Sequence, residues 1–161
     1  MAEGSKALEA YLTDHMAGSV SASDLAKRGA KNNQGPISIF FADLAREIDS
    51  DRRTLESVAS QVGVQPHPLK QAGAVAAERL SRFKLDHRMT GSSQLSLLLE
   101  LELLYLGIQG KQVLWRTLPV VARNEPRLAE FDFGKLADRA QEQLDAVEEQ
   151  RLKVAATALS G

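Results

Sequence analysis

Apolar side chains recur at alternating intervals of four and three residues in two long segments, the pattern of helices that pack along a bundle. One repeat runs from Ile37 to Val62, and the other runs from Phe133 to Ala158. At the positions that the apolar spacing marks, each repeat has one charged residue, Asp51 in the first and Arg151 in the second. We therefore predict two amphipathic helices that each carry a single charge on the face toward the core.

Two further segments also have helical periodicity. The first begins near Lys6, and its inner face consists mostly of small residues with one histidine, His15. The third is apolar nearly all round from Leu95 to Leu106, so we expect it to be the most buried helix. The predicted helices span residues 6–30, 36–62, 95–118 and 133–159.

Proline and aspartate residues mark where these helices begin and end. Pro36 suits the first turn of the second helix, and Asp132 suits the N-cap of the fourth. Pro119 lacks a backbone donor, so we expect it to kink or end the third helix. No segment shows the alternation between hairpin turns that strands require. The sequence therefore predicts an all-α protein.

The lengths of the connections predict the topology of the four helices. A short connection joins the first helix to the second, and about a dozen residues join the third to the fourth, so each pair is expected to be an antiparallel hairpin. The connection from residue 63 to residue 94 is long enough to run back along the bundle, and within it residues 68–83 predict a short extra helix. A loop is expected at residues 89–93. Two hairpins joined by one long crossover, in a single domain over residues 1–161, is a ferritin-like arrangement.

Short motifs give the chain a resemblance to a known superfamily. They are Tyr11–Gly18, Glu47–Arg52, and Leu99–Leu103 continuing through Gly110 to Trp115. With these stretches the chain resembles the ferritin-like superfamily over most of its length, and in particular an uncharacterised group of bacterial bundles. The resemblance implies the four-helix fold.

Active di-iron members of that superfamily carry inward carboxylates and Glu-x-x-His motifs. Here no Glu-x-x-His occurs, because Ser50 stands three residues after Glu47 and Arg151 stands three residues after Glu148. An arginine supplies a positive charge and no lone pair for a metal. We therefore expect the ferritin-like fold without a di-iron centre and without a cofactor.

The charged residues on the inner faces are the candidate site. Burying an isolated charge is costly, so Asp51, Arg151 and His15 are expected to find partners or to be neutral. Projection along ferritin-like helix axes places His15, Asp51 and Lys111 at one level, and Glu47, Glu102 and Arg151 at another on the opposite side of the midpoint. We interpret the set as an internal salt-bridge network in which Arg151 and Lys111 are the internal cations that stand where metal ions sit in active relatives.

Two other interpretations remain open. His15, Glu47, Asp51 and Glu102 could form a surviving carboxylate–histidine site for iron or manganese, which would make the protein a metal-dependent oxidoreductase. Alternatively, the small residues Gly18, Ser19 and Ala22 could leave space for a small ligand, although such residues can equally bring helices closer together.

Composition narrows the function classes. The chain has 161 residues, no cysteine and a net charge of -1, which argues against thiolate metal sites and against general attraction to nucleic acid or anionic membranes. The N-terminal residues lack the pattern of a signal peptide, and Glu100 and Glu102 interrupt the most apolar stretch, so we expect a cytoplasmic protein. We predict a non-catalytic bundle that acts through protein contacts, with a homodimer suggested by the apolar surplus of the third helix.

Overall fold

The computed structural model describes residues 2–65 and 94–160. Every regular element in these two ranges is helical, which confirms the all-α prediction there, and together the long helices are compatible with a four-helix bundle. The elements are α1 (Ala2–Asn32), α2 (Pro36–Gln61), α3 (Gln94–Ala122), a short 3-10 helix (Pro126–Leu128) and α4 (Phe133–Ala158). The predicted extra helix at 68–83 and the loop at 89–93 lie outside the described residues.

Local sequence explains where α2 and α4 begin. Gly35 has φ 68°, a left-handed conformation that glycine adopts without strain, and Pro36 follows it in the first turn of α2. At α4, the Asp132 carboxylate accepts a hydrogen bond of 2.9 Å from the backbone N–H of Lys135. Both predicted helix starts are therefore confirmed.

The predicted end of α3 is wrong, because the helix continues through Pro119 to Ala122. A proline removes one helical hydrogen bond, here the bond to the carbonyl of Trp115, and this loss falls in the last turn. The neighbouring side chains favour continuation, since Leu118 is fully buried and Val121 packs against the core. Packing of the last turn outweighs the lost backbone bond.

The helices form two hairpins, α1 with α2 and α3 with α4. Ser23 Oγ lies 2.7 Å from Asp49 Oδ1, and Ser38 Oγ donates a bond of 2.7 Å to the carbonyl of Ala30, so residue numbers run in opposite directions on α1 and α2. On α3 and α4, Lys111 meets Gln143, and Gln94 meets Thr157. Each hairpin is antiparallel.

The core lies along the face of α2 that the four-and-three spacing predicts. The buried residues on this face of α2 are each no more than 3% exposed: Phe41, Leu44, Ile48, Asp51, Leu55 and Val58. α1 packs on both α2 and α3, whereas α2 contacts α4 over a shorter stretch. Asp51 is thus held among apolar side chains, where a charge needs a partner.

α3 is less enclosed than its sequence predicts. Leu101 and Leu104 are fully buried, but Leu106, Val113 and Val120 are more than half exposed. Helices α1 and α4 cover two sides of α3, and no element in the described ranges packs against its outer face. None of the described helices combines the length and apolar character needed to cross a membrane.

Candidate functional site

A buried carboxylate, Asp51, lies at the centre of a polar cluster built from three helices. Its side chain is 2% exposed. Lys111 of α3 places its Nζ 2.5 Å from Asp51 Oδ2, and Arg139 of α4 donates a hydrogen bond to Oδ1. Gln143, also on α4, donates a bond of 3.2 Å to Oδ2. Both oxygens of the acid are therefore engaged by groups of the chain itself.

Gln143 ties this Asp51 cluster together. Its amide nitrogen donates to Asp51 while its amide oxygen accepts a hydrogen bond from Lys111. The donor and the acceptor of this amide, which is 2% exposed, therefore both have partners in the core. Since Arg139 and Gln143 are four residues apart, they project from the same face of α4.

Opposite charges balance in and around the cluster. Burial lowers the pKa of Lys111, an effect that the Asp51 carboxylate opposes. Arg139 adds a second positive charge beside Lys111, and Glu47 adds a second negative one. Glu47 is exposed and lines a shallow groove together with Arg139 and Gln143. Two acids and two bases leave this region close to neutral, which offsets the cost of desolvation.

Arg151 lies elsewhere, at the edge of the bundle. Its side chain is 26% exposed and makes hydrogen bonds of 2.7 and 2.8 Å to Glu148, one turn earlier on the same helix. Its Nη1 also lies 3.6 Å from Glu102 of α3. The Glu148 carboxylate raises the pKa of Arg151. The structure thus brings Arg151 to Glu102, as their common level predicts, but places the pair near solvent and in no contact with Asp51.

Sequence reasoning missed Arg139 and Gln143. Neither residue occupies a position of the four-and-three seam of the fourth helix. The spacing could have predicted that Gln143 is buried, because it lies three residues after Ala140 and four before Val147, and both of these are fully buried. Helices in globular bundles bury a stripe wider than a strict four-and-three seam.

His15 is half-buried on α1. The centroids of the His15 and Tyr11 rings are 4.7 Å apart, and the rings meet edge to face with an interplanar angle of 69°. Burial lowers the pKa of His15, an effect that the charge of Asp14 opposes. The imidazole makes no hydrogen bond with any residue in the ranges 2–65 and 94–160. It is therefore a neutral group near pH 7 with one donor and one acceptor to offer.

A cleft of about 230 Å³ opens between α1, α2 and α3 beside the Asp51 cluster. Gly18, Ser19 and Ala22 form its α1 wall, as the small-residue hypothesis anticipates. His15, Asp51 and Lys111 also line it; its other residues are Asp14, Ile48, Arg52, Leu55, Leu106, Gly107, Ile108, Gly110, Leu114 and Trp115.

The small residues of α1 and α3 have different effects at different levels of the two helices. A Cβ atom built on Gly107 would lie 3.9 Å from the Ala22 Cβ, so α1 and α3 touch at that level. A Cβ atom on Gly18 or on Gly110 would meet no atom within 4 Å. Small residues therefore bring α1 and α3 into contact at Gly107 and leave space between them at Gly18 and Gly110.

The four candidate metal ligands do not come together in one site. His15 and Asp51 line the cleft, Glu47 lies in the groove beside Arg139, and Glu102 pairs with Arg151. Within the described ranges, no three His, Cys, Asp or Glu side chains are placed to hold a metal ion. Since both oxygens of Asp51 already accept hydrogen bonds, these residues do not fit a di-iron centre.

Comparison of the chain with protein-family profiles, with curated proteins and with solved structures finds no match.

Proposed function

We propose that the protein is a non-catalytic, ferritin-like four-helix bundle that acts through protein contacts. The observation that carries this proposal is the Asp51 cluster, in which Lys111, Arg139 and Gln143 engage both oxygens of the most buried acid. Three accepted hydrogen bonds occupy most of the roughly four lone-pair positions of a carboxylate, and two of the donors are cations that would repel a metal ion. The cluster then fixes the register of three helices.

The directions of the helices support the ferritin-like arrangement. α1 is antiparallel to α2, and α3 is antiparallel to α4. Residue numbers also run in opposite directions on α1 and α3. Ala22 faces Gly107, and the charge of Arg28 opposes the rise in pKa that burial causes at Glu100. The resulting order is up, down, down, up, which requires one long crossover between α2 and α3.

Elemental analysis of protein purified without an affinity tag tests the absence of a metal centre. We expect no stoichiometric iron or manganese after incubation with either ion and removal of the excess. Stoichiometric metal that is lost in both His15→Ala and Asp51→Ala would contradict the proposal and favour the metal-dependent oxidoreductase. Asp24→Ala, which removes an exposed acid of α1 outside the cluster, is the matched control.

The outer face of α3 supports a homodimer. Seven residues on this face follow the four-and-three spacing of a bundle seam: Leu99, Leu103, Leu106, Gly110, Val113, Thr117 and Val120. If two copies align their α3 helices antiparallel about the midpoint between Gln109 and Gly110, Leu106 of one copy lies opposite Val113 of the other. The same register brings Glu102 within one residue of the level of Arg116 of the second copy, so opposite charges flank the seam. This face is thus complementary to itself, as a two-fold interface requires.

Sedimentation equilibrium in the micromolar range tests the dimer. We expect self-association in the parent protein and its loss in Val113→Glu, which places a charge in the centre of the seam. Ile39→Glu is the matched control, because Ile39 is 64% exposed on α2, away from this face. A monomer at all concentrations, or association that survives Val113→Glu, would contradict the proposal.

A further inference from the structure

We propose that the cleft between α1, α2 and α3 binds a small, uncharged ring compound that carries a hydroxyl group. This inference goes beyond the proposed role in protein contacts, because it concerns the space between α3 and α1; Leu106 and Gly110 of the proposed α3 seam form the edge of this space. The cleft is the space that remains beside Gly18 and Gly110, where an added Cβ atom would meet nothing within 4 Å.

The size of the cleft sets the size of the ligand. Its volume of about 230 Å³ exceeds the roughly 150 Å³ of an apolar cavity that is sufficient to hold benzene. The wall is mainly apolar, with Ile48, Leu55, Leu114 and Trp115 among the lining side chains. A single six-membered ring with one or two substituents fits this space and this surface.

The charges of the cleft favour a neutral ligand. Asp14 and Asp51 are its acids, and Arg52 and Lys111 are its bases. Asp51 and Lys111 neutralise each other at 2.5 Å, and Arg52 bonds to Glu56 at 3.0 Å. An anionic ligand would lose its hydration and gain no unpaired cation, so its binding is disfavoured. A cationic ligand would find Asp14, but this acid is exposed, and an ion pair with an exposed acid adds little.

His15 supplies the polar contact. It lines the cleft, and its ring nitrogens have no hydrogen-bond partner in the described part of the chain. A neutral imidazole both donates and accepts, which matches a hydroxyl group. The edge contact with Tyr11 restricts the orientation of the ring. A hydroxyl on the ligand is therefore expected to bond to His15 while the hydrocarbon ring packs against the apolar wall.

Trp115 makes the test direct, because it is the only tryptophan in the sequence and it lines the cleft. We suggest titrating the protein with p-cresol, toluene and 4-methylbenzoate while following Trp115 fluorescence and the amide NMR signals of Gly18 and Gly110. We expect saturable binding of p-cresol, roughly tenfold weaker binding of toluene through loss of one hydrogen bond, and no saturation with 4-methylbenzoate. No saturable response to p-cresol would overturn the proposal.

Substitutions at Gly18 and His15 locate the ligand. Gly18→Leu extends a side chain into the cleft and should weaken p-cresol binding at least tenfold, whereas Gly18→Ala adds one methyl group and should keep the affinity within about twofold. His15→Phe should reduce the affinity for p-cresol to that for toluene. If Gly18→Leu fails to fold by circular dichroism, Ser19→Leu adds a side chain to the same wall of the cleft and lies outside the proposed α3 seam. Parental affinity in the folded leucine variant would overturn the proposal, and parental affinity in His15→Phe would overturn the contact with His15.

Discussion

Asp51 on α2 and Lys111 on α3 form an ion pair across the diagonal of the bundle, with 2.5 Å between Oδ2 and Nζ. The two side chains are 2% and 13% exposed. Contact between these diagonal helices is otherwise sparse, since α2 packs mainly on α1, and α3 packs on α4 and α1. This pair therefore links the two hairpins through the interior, and the stability of the fold should respond to it.

Asp51→Ala should be strongly destabilising. The change leaves Lys111 and Arg139 without their shared acid, and removing one partner of a buried ion pair typically costs about 3–5 kcal/mol. Urea unfolding followed by circular dichroism measures the effect. Asp43→Ala is the control, because Asp43 is an exposed acid on the same helix that pairs only with Arg46 in the described ranges, and its loss should cost less than about 1 kcal/mol. Equal costs for the two variants would contradict the assigned role of Asp51.

Asp51→Asn and Lys111→Met should be coupled. Either single change leaves a buried charge or amide with an incomplete set of partners, whereas the double change removes the pair. We expect the free energy of unfolding lost in the double variant to be smaller than the sum of the single losses by about 1–3 kcal/mol. A double-mutant cycle in urea gives the coupling energy directly. Additive losses would show that the two groups act independently.

The seam of α2 shows how much of the fold sequence alone predicts. Its four-and-three spacing from Phe41 to Val58 coincides with side chains that are no more than 3% exposed, and it singles out Asp51 as a buried charge. Such a pattern is reliable because the period of the helix decides which residues share a face. The end of α3 was not predictable in this way, since the helix passes Pro119 through packing of Leu118 and Val121 against the core.

The partners of Asp51 show what the spacing leaves out. Lys111 was predicted to share its level with Asp51, but Arg139 and Gln143 were not expected beside it. A seam identifies the middle of a buried stripe, whereas long polar side chains reach the core from its edges. Arg151 gives the opposite lesson, because it occupies a seam position and nevertheless bonds to Glu148 near solvent. Its length allows the guanidinium to leave the core while its methylene groups stay there.

Gly29→Ala should be destabilising, whereas Gly18→Ala should not. A Cβ atom on Gly29 would lie 2.5 Å from the Phe41 ring, which is fully buried and cannot move aside without disturbing the core. Overpacking of this kind typically costs about 1–3 kcal/mol. At Gly18 the added methyl group meets nothing, so the higher helix propensity of alanine should stabilise the protein by up to about 1 kcal/mol. Thermal unfolding compares the two, and the same sign for both changes would contradict the packing of α1 on α2.

His15 should make the stability fall in mildly acidic solution. Burial lowers its pKa below the ordinary value of 6.5, so below about pH 6.5 the unfolded chain takes up a proton that the folded protein does not. The free energy of unfolding therefore decreases as the pH falls from 6.5 to the folded pKa, and it is unaffected by this group at higher pH. The other charged groups around the cleft that His15 lines are Asp14, Asp51, Arg52 and Lys111. In His15→Gln, which cannot titrate, the free energy of unfolding measured in urea should change less between pH 7.5 and pH 5 than in the parent protein. An identical slope in the parent and in His15→Gln would show that the imidazole is not the group responsible.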